Sequence, residues 1–450
     1  MSRTVSLLAA LAVFAASFWR GASYDASNRC PAAPPDVLRG VAVEVRVGTF
    51  GDRALVRGEN GTWGFVAAVG SGEVAVGDKV EISGARVFRI KDFLGDGGQM
   101  FPYANLMRSR GYCFEAKRGE VKIIGSSGGF ADQLRALGVA ARERIGRVLP
   151  PVPAALSAGA LFGGDDGIGE DLEESSRRAG LAHALALSGF NVAVFAGAID
   201  LVLRGFMPRS ARILGGAAAA WLLVSLAGLP PSGVRAALAW TVGAAARLSF
   251  RRAEAPRALL YAAFVYSWWN PLAIAFDLSL QLSLLACLGL AAWAASAAER
   301  LVGVPGVLGI REAAASTLAA TVATLPLSVW SFGQISLVAP LANAALAYAI
   351  PGMMWAGFAA AAVSFSDALS DAVGSVLALP AELFSFVALR FGGFAWSSVS
   401  VSSGPVLALL GSFVVSLAAF WSIGAARRRE AEAWTSEVLR LRRSIDETSG

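Results

Sequence analysis

From about residue 181 to residue 424 the chain is a succession of apolar runs, several of them near the ~20 residues that cross a bilayer. Hydrocarbon offers no partner to a backbone N–H or C=O, so a segment crossing it closes its own hydrogen bonds as a helix. The runs predict helices over about 183–203, 213–229, 233–249, 258–274, 278–297, 313–331, 337–363, 372–394 and 404–424. A run at 5–19 opens the chain and brings the total to about ten. Composition agrees: 55% of residues are hydrophobic and 16% charged, against about 25% charged in globular domains. The expected class is a polytopic α-helical membrane protein. Pro351-Gly352 interrupts the long run 337–363, which reads as tilted, kinked or split into two half-helices.

The charges between the runs set an orientation. Arg204, Arg209 and Arg212 follow the run at 183–203, and Arg247, Arg251, Arg252 and Arg257 follow that at 233–249. Arg300 and Arg311 bracket a third loop, and Arg427–Arg429 follow the last run. The alternate loops, Leu229–Ser232, Asn270–Asp277 and Phe332–Ser336, hold no Lys or Arg. Short Arg-rich loops stay cytoplasmic, so both termini are expected inside a cell inner (plasma) membrane crossed many times. The net charge of +6 thus speaks of orientation more than of ligands.

The remaining segments divide the chain further. Residues 1–30 hold Arg3, an apolar run and Trp19-Arg20, which fits an uncleaved signal anchor and also a signal peptide; the segment after it is exported in either case. Residues 31–125 turn to short β-type runs between glycine-rich turns. Val41, Val43, Val45 and Val47 alternate with Ala42, Glu44 and Arg46, as in a strand with one wet face. About five such strands suit a small exported all-β barrel of the OB type. Arg46, Arg53, Arg57 and Arg89 make it basic, and Trp63 and Phe65 are interleaved. Cations along a backbone and aromatics stacked on bases hold single-stranded nucleic acid, although the same rings also fit a core. Cys30 and Cys113 flank this segment and suit a disulfide if it lies outside the cytoplasm; Cys287 reads as a packing residue.

Residues 126–180 read as an amphipathic helix over 128–150 followed by a polar loop. The helix suits a membrane interface or the side of the small barrel. The acidic run around Asp165, Asp166, Glu170 and Asp171 reads as a solvated face rather than a metal site. Residues 181–425 form the expected transmembrane domain and 426–450 a charged cytoplasmic tail.

Several polar groups stand inside the apolar runs. Ala182–Ala198 carries His183, the only histidine, with Ser188 and Asn191. Each needs a partner away from lipid, so this helix faces protein or a water-filled path. Arg235 and Asp277 fall near the ends of two predicted spans; they pair, share a vestibule, or snorkel to the interface. Gln281, Gln334 and Asn343 complete the set. No triad order, P-loop or Cys/His metal pattern is present, so neither an enzyme nor a metal or other cofactor is expected.

Four segments in order resemble the ComEC competence proteins: AGLAHALALSGFNVAVFAG (179–197), LPPSGVRAAL (229–238), NPLAIAFDLSLQLSLLACLGL (270–290) and ATLPLSVWSFGQISLVAPLAN (323–343). Together with the expected OB-like domain they cover most of residues 40–425. The resemblance implies an inner-membrane channel that passes single-stranded DNA into the cytoplasm during natural transformation. It also implies an exported DNA receptor and a cytosolic ATPase or single-strand-binding protein as partners, with homo-oligomerisation left open. Many members carry a C-terminal metallo-β-lactamase-like domain. Residues 427–450 are a short charged tail without a His-x-His-x-Asp-His run, so degradation of the other strand is expected from a separate protein. The position two after Ser-Gly that often holds a second histidine is Asn191 here. The other reading is a transporter or membrane-assembly protein for another substrate on the same scaffold.

Overall fold

The computed structural model describes the chain from Val37 to Val401, with short breaks mostly before residue 130, and then residues 410–419 and 422. The expected span 5–19, Cys30, Trp63, Asp165, Asp166 and the tail 426–450 lie outside the described residues. A β-sheet domain comes first and a helical body follows it.

Seven strands make one sheet: β1 (Leu38–Arg46), β2 (Asp52–Gly58), β3 (Gly64–Val69), β4 (Asp78–Ser83), β5 (Arg86–Arg89), β8 (Tyr112–Lys117) and β9 (Glu120–Ser126). Between them β6 (Phe93–Leu94) and β7 (Met100–Phe101) pair separately. The order in the large sheet is β5-β8-β3-β2-β1-β4-β9, with β3 and β8 parallel and the other pairs antiparallel. Only Gly84 and Ala85 separate β4 from β5, yet β4 pairs with β1 and β5 with β8. The strand turns a corner there, and Gly84 supplies it at φ +64, where a glycine has no Cβ to clash. That corner brings the two ends of the order together and leaves β9 outside on β4.

Alternation along β2 explains its faces. Ala54 and Val56 enter the core beside Phe65 and Phe114, while Arg53 and Arg57 are exposed. Leu55 on the other face is covered by Val66, Ile90, Met107 and Tyr112, so this strand is dry on part of both faces. Burying a phenylalanine contributes about 1.5–3 kcal/mol, and Phe65 and Phe114 are the largest wholly buried side chains of the sheet.

The helices are α1 (Phe130–Val148), α2 (Pro151–Phe162), α3 (Glu170–Arg178), α4 (Gly189–Val202), α5 (Arg209–Leu226), α6 (Pro231–Leu248), α7 (Ala255–Trp269), α8 (Leu278–Arg300), α9 (Ile310–Phe332), α10 (Ala339–Ala345), α11 (Ala349–Val363), α12 (Asp367–Gly392) and α13 (Leu410–Ala419). Two short strands, β10 (Gln334–Ser336) and β11 (Ser398–Ser400), pair between them. Among the described residues, α8, α9 and α12 are long and apolar enough to cross a membrane. The pair α10 and α11, bent by 43°, makes a fourth if counted as one span.

Two expected spans are interrupted. The run 337–363 breaks at Leu346–Tyr348. Pro351, expected as the interruption, lies in the first turn of α11, where its missing N–H costs no helical bond. The run 183–203 is a single turn of 3-10 helix at Ala182–Ala184 and then α4, which starts only at Gly189. Ser188 caps it, and serine is favoured as a cap because its oxygen satisfies an orphan N–H.

The amphipathic helix expected near 128–150 is α1, and its inner face packs on the helical body. Ile145 and Leu149 join the main core, and a Cβ on Gly138 would collide with the Leu226 carbonyl of α5. Pro150 and Pro151, which follow it, open α2, where a proline at the first position is favoured. From Pro153 to Phe162 almost every residue of α2 is buried, so this short apolar helix sits at the centre of the body. Arg142 of α1 donates to the Gly163 carbonyl and lies 5.5 Å from the centre of the Phe162 ring, which ties the two helices together.

Candidate functional site

The polar groups singled out in the sequence gather where α4, α6, α8 and α10 begin and α7, α9 and α12 end. Ser232 Oγ, in the first turn of α6, donates to the Leu187 carbonyl just before α4, at 2.7 Å. Arg235, one turn further on, meets the start of α8. Gly180 lies against Ser336 and Ala339, at the junction of β10 and α10. All four sequence segments therefore touch in a chain at one end. The loops at this end are those without basic residues; at the other end, Arg209 donates to the Arg247 carbonyl at 2.9 Å.

Arg235 Nη1 and Asp277 Oδ2 are 3.1 Å apart, and their side chains are 3% and 1% exposed. Arg235 Nη2 also donates to Ser279 Oγ at 2.6 Å, and the guanidinium lies 5.5 Å from the Tyr266 ring centre. Asp277 Oδ1 accepts from the Leu280 N–H at 3.2 Å, which makes it the cap of α8. The two expected charges thus pair in a dry site joining α6, α7 and α8, and neither snorkels. Burying two ions costs several kcal/mol each, and the extra hydrogen bonds and the ring face offset part of that cost. Just before α6, Leu229 adopts φ 61, a left-handed conformation that costs a residue with a Cβ about 1–2 kcal/mol.

His183 is exposed in the turn that precedes α4. Its ring is hydrogen-bonded to the backbone of Gly180. Gly180 has φ +73, and a Cβ there would lie 2.6 Å from the Ala339 Cβ. Both the conformation and the contact require glycine.

Ser188 and Asn191 are placed differently. Asn191 is 1% exposed; its Nδ2 donates to the Ala160 carbonyl of α2 at 2.8 Å. Ser188 Oγ donates to Asn191 Oδ1 at 2.9 Å and accepts from the Asn191 N–H at 3.3 Å. This pair starts α4 and clamps it to α2, and Asn191 has no face toward water. Gln281 is half-buried, one turn after Asp277. Gln334 stands opposite Ser400 in the β10–β11 ribbon, and Ser336 opposite Ser398, so one face of that ribbon is polar. Asn343 Nδ2 returns to the Ala339 carbonyl of its own helix at 2.8 Å.

In the β-domain Arg53, Arg57 and Arg89 are exposed, and Arg46 stands opposite Arg53 in register. Phe65 is wholly buried, which takes its ring out of reach of a ligand and corrects its reading as a stacking surface. Phe88, 49% exposed between Arg86 and Arg89, is the described aromatic with that position. Cys113 is buried in β8 and disulfide-bonded. Sequence reasoning missed Tyr266, Ser279, Ser232 and Gly180 as parts of the site. Ser232, Ser279 and Gly180 had a signal, since they fall inside the motif segments, and Tyr266 had none. Among the described residues no group of three His, Cys, Asp or Glu side chains could hold a metal ion.

The model of the competence protein family matches residues 160–426, more than half of the chain. No curated protein and no solved structure matches it. The match begins inside α2, takes in every later helix and leaves out the β-domain.

Proposed function

The chain belongs to the competence protein family, and on that premise we propose that it is an inner-membrane channel passing single-stranded DNA into the cytoplasm during natural transformation. The observation that carries the reading is that the four motif segments touch in a chain at one end of the helices, where His183 is exposed. A DNA path must be wet, polar and not acidic, since each phosphate carries a negative charge. The exposed His183, the polar face of β10–β11 and Gln281 suit its entrance, while the buried Arg235–Asp277 pair fixes the helices that frame it. Loops without Lys or Arg at this end make it the outer face. About ten spans, both termini cytoplasmic and a β-domain outside complete the topology we propose.

The β-domain follows an OB-type course. β1, β2 and β3 form a meander, β8 runs parallel to β3, and the β4–β5 strand bends to join β8 to β1. Arg46, Arg53, Arg57 and Arg89 then collect the strand electrostatically, and a Cys30–Cys113 disulfide braces the domain in the oxidising compartment. An exported receptor delivers the DNA, and a cytosolic ATPase or single-strand-binding protein draws it in, because no motor motif is present in this chain.

The test is uptake of labelled DNA in a strain deleted for the gene, beside the complemented strain. Loss of internal single strands with surface-bound DNA retained is the expected result. Unchanged internal DNA would assign the scaffold to another substrate.

A further inference from the structure

A stack of aromatic rings stands at the same end of the helical body, on residues that none of the four motif segments includes. Phe394 and Trp396 come after the end of α12. Their rings are parallel within 3° at a centroid distance of 5.3 Å. Phe391, in the last turn of α12, meets Phe394 edge-on at 6.1 Å and 75°. The Arg390 guanidinium lies 5.7 Å from the Phe394 ring centre.

The stack is held from several sides. Arg178, the last residue of α3, donates to the Phe394 carbonyl at 3.1 Å. Ser397 closes the turn, its N–H donating to the Phe394 carbonyl at 3.0 Å and its Oγ to the Gly392 carbonyl at 3.0 Å. α3 lies so close that a Cβ on Gly392 would collide with the Ser175 carbonyl. Trp396 nevertheless remains 59% exposed. One face of the indole is covered by Phe394, and the stack is open at its other end.

We propose that this open stack is a docking platform for the bases of single-stranded DNA at the mouth of the path, with Arg390 answering the phosphates. The inference rests on the channel reading above. Two observations favour a nucleic acid strand. The platform joins aromatic faces with exposed cationic charge, the combination that holds single strands without regard to sequence. It also runs directly into β11, whose Ser398 and Ser400 stand in register with Ser336 and Gln334. Gly180, which holds the His183 ring, lies against that same Ser336. A base stacked on Trp396 therefore starts at the edge of the polar ribbon that leads toward His183.

The experiment uses the full chain in lipid nanodiscs and the anisotropy of two labelled strands of equal length, a thymidine oligonucleotide and its abasic counterpart. Stacking on one ring is worth about tenfold in affinity. Trp396→Leu is expected to weaken the thymidine strand by that factor and leave the abasic strand unchanged. Trp396→Phe keeps a ring and is expected to retain most of the affinity. Arg390→Gln is expected to weaken both strands and flatten the salt dependence. Equal loss for both strands, or none for either, overturns the platform. So does a Trp396→Leu chain that binds normally but incorporates poorly into bilayers, which would make the stack an interfacial anchor. If uptake needs the gene while Trp396→Leu binds and imports as the parent does, only the platform falls. If the parent chain binds neither strand and uptake survives deletion of the gene, the channel reading falls with it.

Discussion

Asp277 serves two partners through separate oxygens, Arg235 through Oδ2 and the Leu280 N–H through Oδ1. Removing either charge leaves the other buried and unpaired, at a cost of about 3–5 kcal/mol. Arg235→Ala and Asp277→Ala are both expected to lower the melting temperature in detergent sharply. The exchange Arg235→Asp with Asp277→Arg restores the pair but not the cap, which is worth about 1 kcal/mol. It should therefore recover most, but not all, of the stability; a double variant no better than either single one would remove the pairing as the cause. His183 and Asn191 separate in the same way. Asn191→Ala leaves the Ala160 carbonyl buried without a donor, at about 1–3 kcal/mol, and should reduce the amount of folded protein together with uptake. His183→Ala touches an exposed group and should reduce uptake at normal abundance. Quantitative immunoblots beside uptake assays separate the two. Spacing alone suggested one role for both residues, because His183 and Asn191 are only eight apart and sequence does not say where a helix starts.

At the scale of elements, close approach between helices rests on small residues. α8 and α9 form a hairpin in which a Cβ on Gly289 would lie 2.5 Å from both the Ala319 carbonyl and the Ala323 Cβ. In a membrane such contacts supply much of the helix association, since lipid is as apolar as leucine. Gly289→Leu is expected to separate the pair and lower the melting temperature by several degrees, as overpacking costs about 1–3 kcal/mol. An unchanged melting curve would show that the hairpin is held elsewhere. Element type was legible where apolar runs are long: α8, α9 and α12 fall where the runs predict them. Breaks were harder to place. The kink near 346–348 lies at an ordinary Leu-Ala-Tyr, and the obvious proline beside it sits harmlessly in a first turn. The central place of α2 had no distinct signal either, because twelve apolar residues fit a core, a re-entrant segment or a leader equally.

At the scale of the whole molecule, the Arg-rich loops and the uncharged loops lie at opposite ends of the helices. Single cysteines at Arg209 and at Ser232, in a chain otherwise without free thiols, are expected to react with impermeant reagents from opposite faces of sealed vesicles. Labelling of both from one face would overturn the orientation. The native cysteines give a second reading: Cys30 and Cys113 should resist labelling until a reductant is added. The β-domain was legible as short alternating strands, but closure at the Gly84 corner was not, since pairing of β5 with β8 joins residues far apart in the chain.

The sequence by itself determined the membrane class and the family, and it set the sidedness expected of the loops, because these depend on local properties: run length, charge between runs and short motifs. The tertiary structure decided which polar residues touch. It made Arg235 and Asp277 a buried pair, turned Ser188 and Asn191 into a helix start, hid Phe65, exposed His183 and stacked Trp396 on Phe394. The physical reason is that a side chain's role in a helical body depends on which helix lies beside it, and those neighbours are tens to hundreds of residues away along the chain.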